Sequence, residues 1–120
     1  MTEIKGPKQY DLEARTLTFA KAVIAFISAV PKTVANVEIV KQIVRSSGSV
    51  GANYIEANES LGKKDFAMRV RICRKEAKES RYWLDLIEVN GEDTKEKKQS
   101  LMNEATQLMK IFGSILEKVK

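Results

Sequence analysis

Between residues 63 and 89, Phe66, Val70, Cys73, Ala77, Ser80, Leu84 and Ile87 advance in alternating steps of four and three. That spacing keeps one stripe of an α-helix turned toward its neighbours, as in the seam of a helix bundle. It is incompatible with a strand, whose side chains alternate with a period of two. The same alternation returns in Leu101, Ala105, Leu108, Phe112, Ile115 and Val119. With two prolines and six glycines in 120 residues, turns are few, so the elements are few and long.

Two further helices complete the pattern. Asp11 is placed to cap a first helix that Pro31 ends. Its apolar residues form two neighbouring stripes, Leu17, Ala20, Ile24 and Ile27 beside Phe19, Val23, Phe26 and Val30. Asn36 is a candidate cap for the second helix, in which Ile39, Ile43, Val50, Tyr54, Ala57 and Leu61 share a face. Ser46 to Ala52 reads as a loop on local propensity, yet the apolar phase continues across it, which favours one unbroken helix. Small residues there would let a neighbouring helix come close. Asn90-Gly91 is a stop signal after the third helix, and Thr94 a candidate cap for the fourth. The expected helices span about 12–30, 37–61, 63–89 and 95–119. Short connectors between them imply an antiparallel up-down four-helix bundle, all-α and a single domain over residues 1–120.

Several function classes lose their usual residues. Histidine is absent, which removes the commonest general base and metal ligand. Glu76 and Glu79 are three apart among lysines, a pattern of surface or inter-helix ion pairs. Cys73 lies on the apolar seam, as a buried thiol would. Phosphate-binding glycine loops are missing. The expectation is a non-enzymatic protein with no catalytic residue, metal, cofactor or small-molecule substrate. The longest apolar run, Ala22–Val30, is too short to span a bilayer, and the polar N-terminus has no signal core. One cysteine fits a reducing cytoplasm.

Apolar residues outside the seams point to self-association. Met68, Ile72, Trp83 and Leu86 cluster about 100° to 160° from the third helix's seam, and such a patch is a liability unless covered. Met102, Met109 and Leu116 form a similar row on the fourth helix. The alternative is that these rows widen the core.

The net charge of +5 is concentrated. Residues 63–81 hold eight Lys/Arg against three Asp/Glu, whereas residues 1–62 hold seven against six and residues 82–120 six against seven. Lys63, Lys64, Arg71, Arg74, Lys75, Lys78 and Arg81 fall within one sector of about 120°. Such a stripe suits a phosphate backbone of RNA or DNA, bound with strong salt dependence. The alternative is a solvated face paired with acids of a neighbouring helix. Tyr82 is the one aromatic beside the stripe, so no stacking platform for single-stranded bases is expected.

From Gln42 to Leu86 the chain resembles the four-helix bundle proteins, also called 23S rRNA intervening-sequence proteins. The residues that carry the likeness are Arg45, Ser49-Val50-Gly51-Ala52-Asn53-Tyr54, Glu56-Ala57, Lys64-Asp65-Phe66, Lys75-Glu76-Ala77-Lys78-Glu79-Ser80 and Tyr82-Trp83-Leu84. The resemblance implies an antiparallel four-helix bundle assembled as a homopentamer, and a continuous second helix. Some members are encoded within insertions in large-subunit ribosomal RNA genes. Similar proteins are basic accessory factors of retroelement reverse transcriptases. Arg45, Ser49, Asn53 and Glu56 then fall on one face of the second helix. They form either a polar network joining helices or subunits, or a surface that contacts RNA or another ligand; the network is the favoured reading.

Overall fold

The computed structural model describes residues 12–119. Four helices carry them, α1 (Leu12–Ile27), α2 (Val34–Asn58), α3 (Lys63–Leu86) and α4 (Glu92–Lys118), with no strand among the described residues. Each helix packs against the next, and α1 also touches α4, so the four stand at the corners of a bundle. None of them meets its diagonal partner, and α1–α4 is the lightest contact.

The core follows the seams. Val70, Cys73, Ala77, Ser80, Leu84 and Ile87 are buried, as are Leu101, Ala105, Leu108 and Phe112. Phe66 and Ile115 pack partly against them. On α2, Ile43, Val50, Tyr54 and Ala57 are buried, whereas Leu61 lies beyond the helix and is fully exposed. Met102 is buried, and Met109 and Leu116 pack on the core, so this row of α4 widens the core face.

Of the two stripes on α1, only one faces inward. Leu12, Thr16, Phe19, Val23 and Phe26 are buried, while Leu17 and Ile24 stand out in solvent. Sequence could not choose between stripes of equal apolarity. At Gly51 a Cβ would stand 2.8 Å from Thr16 Oγ1, so α1 and α2 come close there. That close approach puts the Thr16 side of α1 against α2. The small residues of α2 therefore lie within an unbroken helix, and of them Ser46, Ser47 and Gly51 serve packing, while Gly48 and Ala52 are exposed.

The helix ends differ from their expected positions for local reasons. α1 closes at Ile27 through tight bonds from Ala29 N to Phe26 O (3.0 Å) and Val30 N to Ile27 O (3.2 Å). Thr33, rather than Asn36, caps α2, its hydroxyl accepting from Asn36 N (3.0 Å). Asn36 is instead buried inside the helix. It donates through Nδ2 to Pro31 O (2.9 Å) and Glu88 O (2.8 Å), and its Oδ1 accepts from Glu88 N (3.2 Å). By holding both peptide groups of Glu88, Asn36 stops α3 at Leu86. Gly91 takes φ 82 directly before α4, so α4 begins at Glu92 and Thr94 is already in its first turn. Glu92 and Asp93 favour that start electrostatically. The proposed Asp11 cap lies outside the described residues.

No helix among the described residues is long and apolar enough to cross a membrane. They also contain no group of three or more His, Cys, Asp or Glu able to hold a metal ion.

Candidate nucleic-acid interface

The straight run of α3 sets the geometry of the charged residues. From Lys63 to Arg81 the helix rises about 27 Å, with Lys63 and Lys64 at its start and, about two turns on, Arg71, Arg74, Lys75, Lys78 and Arg81 at steps of a turn or less. Lys63, Lys64, Arg71, Arg74, Lys75 and Lys78 are exposed and Arg81 is half-buried. Among the described residues none of the seven is in an ion pair. The row turns from the outer edge of α3 toward α4. There Arg81 Nε donates to Thr106 Oγ1 (2.9 Å), and Arg74 Nη1 lies 3.8 Å from where a Gly113 Cβ would stand.

The flank of α3 that faces α2 is arranged differently. Arg45 reaches across from α2 and donates to Glu76 Oε1 (3.2 Å) and to Glu79. Glu76 is buried, and that guanidinium is its ion-pair partner. Trp83 Nε1 donates to the same Glu79 carboxylate (2.9 Å). Below them Ser80 Oγ donates to Ser46 Oγ (2.9 Å) inside the core. Arg69 Nη1 donates to Asn53 Oδ1 (3.1 Å), and Asn53 Nδ2 donates to Ser49 O (2.9 Å). Three members of the Arg45, Ser49, Asn53, Glu56 row thus belong to a connected lattice between two helices. Ser49 takes part through its carbonyl, while its hydroxyl donates to Arg45 O (2.9 Å). Glu56 is exposed and its carboxylate has no partner among the described residues.

This lattice was only partly visible in sequence. Arg45 and Glu76 are 31 residues apart, and no local pattern pairs them. Arg69 sat among the cations of α3, yet its angular position separates it from the outer row. Met68 and Leu86 are exposed beside this flank, whereas Ile72 and Trp83 are half-buried. The indole is therefore tied into the network and only partly available to a partner.

Cys73 is buried, and desolvation pushes its thiol up to about 12. The neutral thiol is the folded form, so its contribution to stability is intact below the ordinary thiol value and fades as pH rises toward 12. Alkylating reagents at pH 8 should leave it unmodified until the chain is unfolded, and rapid native labelling would contradict its burial. A cavity of about 330 Å³ lies at the turn between α3 and α4, beside Ile87, Val89 and Met102. Lys98 at its rim is already engaged, donating to Asp85 O and Ile87 O (2.9 Å each).

The model of the 23S rRNA-intervening sequence protein family matches residues 8–114. The chain belongs to that family. A solved relative in the S23 ribosomal protein family, a protein of unknown function from Bacteroides thetaiotaomicron VPI-5482, is 31% identical. The match covers 87% of this chain and 96% of that one, with a TM-score of 0.76. No curated protein matches. The family assignment and this relative agree with the all-α architecture, and nothing in either points to catalysis.

Proposed function

We propose that this intervening-sequence family member is a non-enzymatic, self-assembling antiparallel bundle that binds the phosphate backbone of RNA or DNA through Lys63, Lys64, Arg71, Arg74, Lys75, Lys78 and Arg81. The observation that carries this reading is the row of cations along one side of α3 with no acid paired to it among the described residues. Like charges a turn apart repel by a few tenths of a kcal/mol per pair. Acids at alternate positions would remove that cost, and elsewhere the chain uses them: Lys97 has Asp93, and Lys41 has Glu38. A run of about 27 Å reaches roughly eight phosphates along one strand. Contacts of this kind are weakly sequence-specific.

The antiparallel order is supported by the pairing of Thr16 with Gly51 and of Glu13 with Asn58, in which sequence numbers run in opposite directions. Homopentameric assembly follows the family resemblance, and Met68 with Leu86 supplies exposed apolar surface for a subunit contact. The reading includes a cytoplasmic location, in keeping with a single reduced cysteine.

The test is retention on duplex RNA as salt is raised. Affinity should fall steeply with salt, and Arg71→Glu combined with Lys78→Glu should weaken binding by at least about a hundredfold. A chain that ignores duplex RNA and DNA at about 50 mM salt would sink the proposal. In its place would stand a self-assembling scaffold with a protein partner, the reading favoured by the exposed apolar residues.

A further inference from the structure

α4 carries a second polar row beside the cations of α3. Gln99, Asn103, Thr106, Lys110 and Ser114 recur at steps of four, three, four and four. At about 100° per residue they share one sector of about 80°. Gln99, Asn103, Lys110 and Ser114 are exposed, and Thr106 is half-buried where its hydroxyl accepts from Arg81 Nε (2.9 Å). Arg81 beside Thr106 and Arg74 beside Gly113 tie the two rows together at two heights. The α4 row therefore runs along the cation row for about 22 Å, on a neighbouring helix whose axis stands about 8–10 Å away.

This row is neutral but for Lys110. Between Lys97 and Glu117 the one acid in the sequence is Glu104. It turns away to α1, where its two oxygens accept from Arg15 (2.7 and 2.9 Å). Acids gather instead around the α3–α4 turn, in Asp85, Glu88, Glu92, Asp93 and Glu96, and close the face at that end. Asn103, Thr106, Gly113 and Ser114 are all weaker helix formers than alanine. The packing of the chain gives a reason for Thr106 alone, through Arg81. Asn103 merely accepts from Gln99 Nε2 (2.9 Å) on the surface. A Cβ at Gly113 would meet only Arg74 Nη1 at 3.8 Å, an ordinary contact that the fold would tolerate.

We propose that the α3–α4 face takes the minor groove of double-stranded RNA, with the α3 cations on phosphates and Gln99, Asn103 and Ser114 on 2′-hydroxyls. This rests on the backbone binding proposed above and names its partner. Cations alone do not tell RNA from DNA, because both present phosphates. The minor groove of an A-form duplex is wide and shallow, and it sets 2′-hydroxyls beside the phosphates. A hydroxyl both donates and accepts. Amide and hydroxyl side chains complement it either way, whereas a lysine can only donate. Thr106 holds Arg81 between the two rows, and Gly113 leaves bare backbone beside Arg74 where a strand can settle. A single strand would need stacking platforms, and Tyr82 is the one aromatic beside the cations.

The test measures the affinity of the full chain for duplexes of one sequence at one salt concentration. RNA should bind at least about tenfold tighter than DNA. An RNA duplex 2′-O-methylated on both strands keeps its charge and A-form, and should fall to near the DNA level. Asn103→Ala with Ser114→Ala changes no charge and brings in a better helix former, so fold and salt dependence should stay as they are. This variant should bind RNA and DNA alike, at the parent's affinity for DNA. If the parent binds RNA and DNA equally, or the methylated duplex as tightly as the unmodified one, hydroxyl recognition is overturned while backbone binding stands. A variant that keeps the parent's preference for RNA also overturns it, since the α4 row would then not be the reader. A parent that binds no duplex overturns both readings.

Discussion

α3 carries charge on both flanks, and the two flanks treat it differently. Toward α2, Glu76 and Glu79 meet Arg45, and Arg69 meets Asn53, across a seam whose floor is the Ser46–Ser80 contact. Toward α4 and the outer edge, seven cations follow one another with no ion-pair partner among the described residues. Both flanks belong to one helix with one composition, so the difference lies in what stands opposite. The α2 flank uses charge to hold helices together. The outer flank leaves its charge without an ion pair among the described residues, which is what the proposed polyanion contact needs. A stability measurement and a binding measurement should therefore respond to different halves of the same helix.

Arg45→Ala should have the largest effect on stability. It strips the buried Glu76 carboxylate of its partner, and because Arg45 is itself half-exposed the loss is about 1–2 kcal/mol. Urea unfolding at fixed protein concentration would show it as a lower midpoint with unchanged slope. No change would mean that the Arg45–Glu76 contact adds nothing to folding, and the contrast between flanks would shrink. Asn53→Ala removes an acceptor for Arg69 and a donor to Ser49 O, and should cost about 1 kcal/mol. If Asn53 merely faced solvent, that substitution would leave the midpoint where it was. The smallest change in stability belongs to Arg71→Ala with Lys78→Ala, within about 0.5 kcal/mol. The same pair should lower the slope of log affinity for duplex RNA against log salt by about 2. A large stability loss from this pair would show that the outer flank has a structural partner after all.

How much of this was legible beforehand varies with the kind of signal. The seams of α3 and α4 were readable because core burial repeats with the period of the helix. The continuity of α2 was also readable, since Ile43, Val50 and Tyr54 keep phase across the small residues. The cations of α3 were readable as a row because they share one helix. The first turns of α2 and α4 were misjudged, since a capping side chain and a left-handed glycine give competing signals within three residues. At Asn36 the competitor was distant: its side chain holds the Glu88 peptide, 52 residues away.

What the sequence alone determined is therefore everything periodic: four helices, the inward stripes of α2, α3 and α4, and the angular sector of the charges. Tertiary structure decided which of two equally apolar stripes of α1 is core, and the inward side is the one beside Thr16, which meets α2 at Gly51. It also decided that Arg45, and not an outer lysine, answers Glu76. Periodicity is a property of one helix and can be read along the chain. Pairing depends on which helix stands opposite and at what height, and packing alone supplies that.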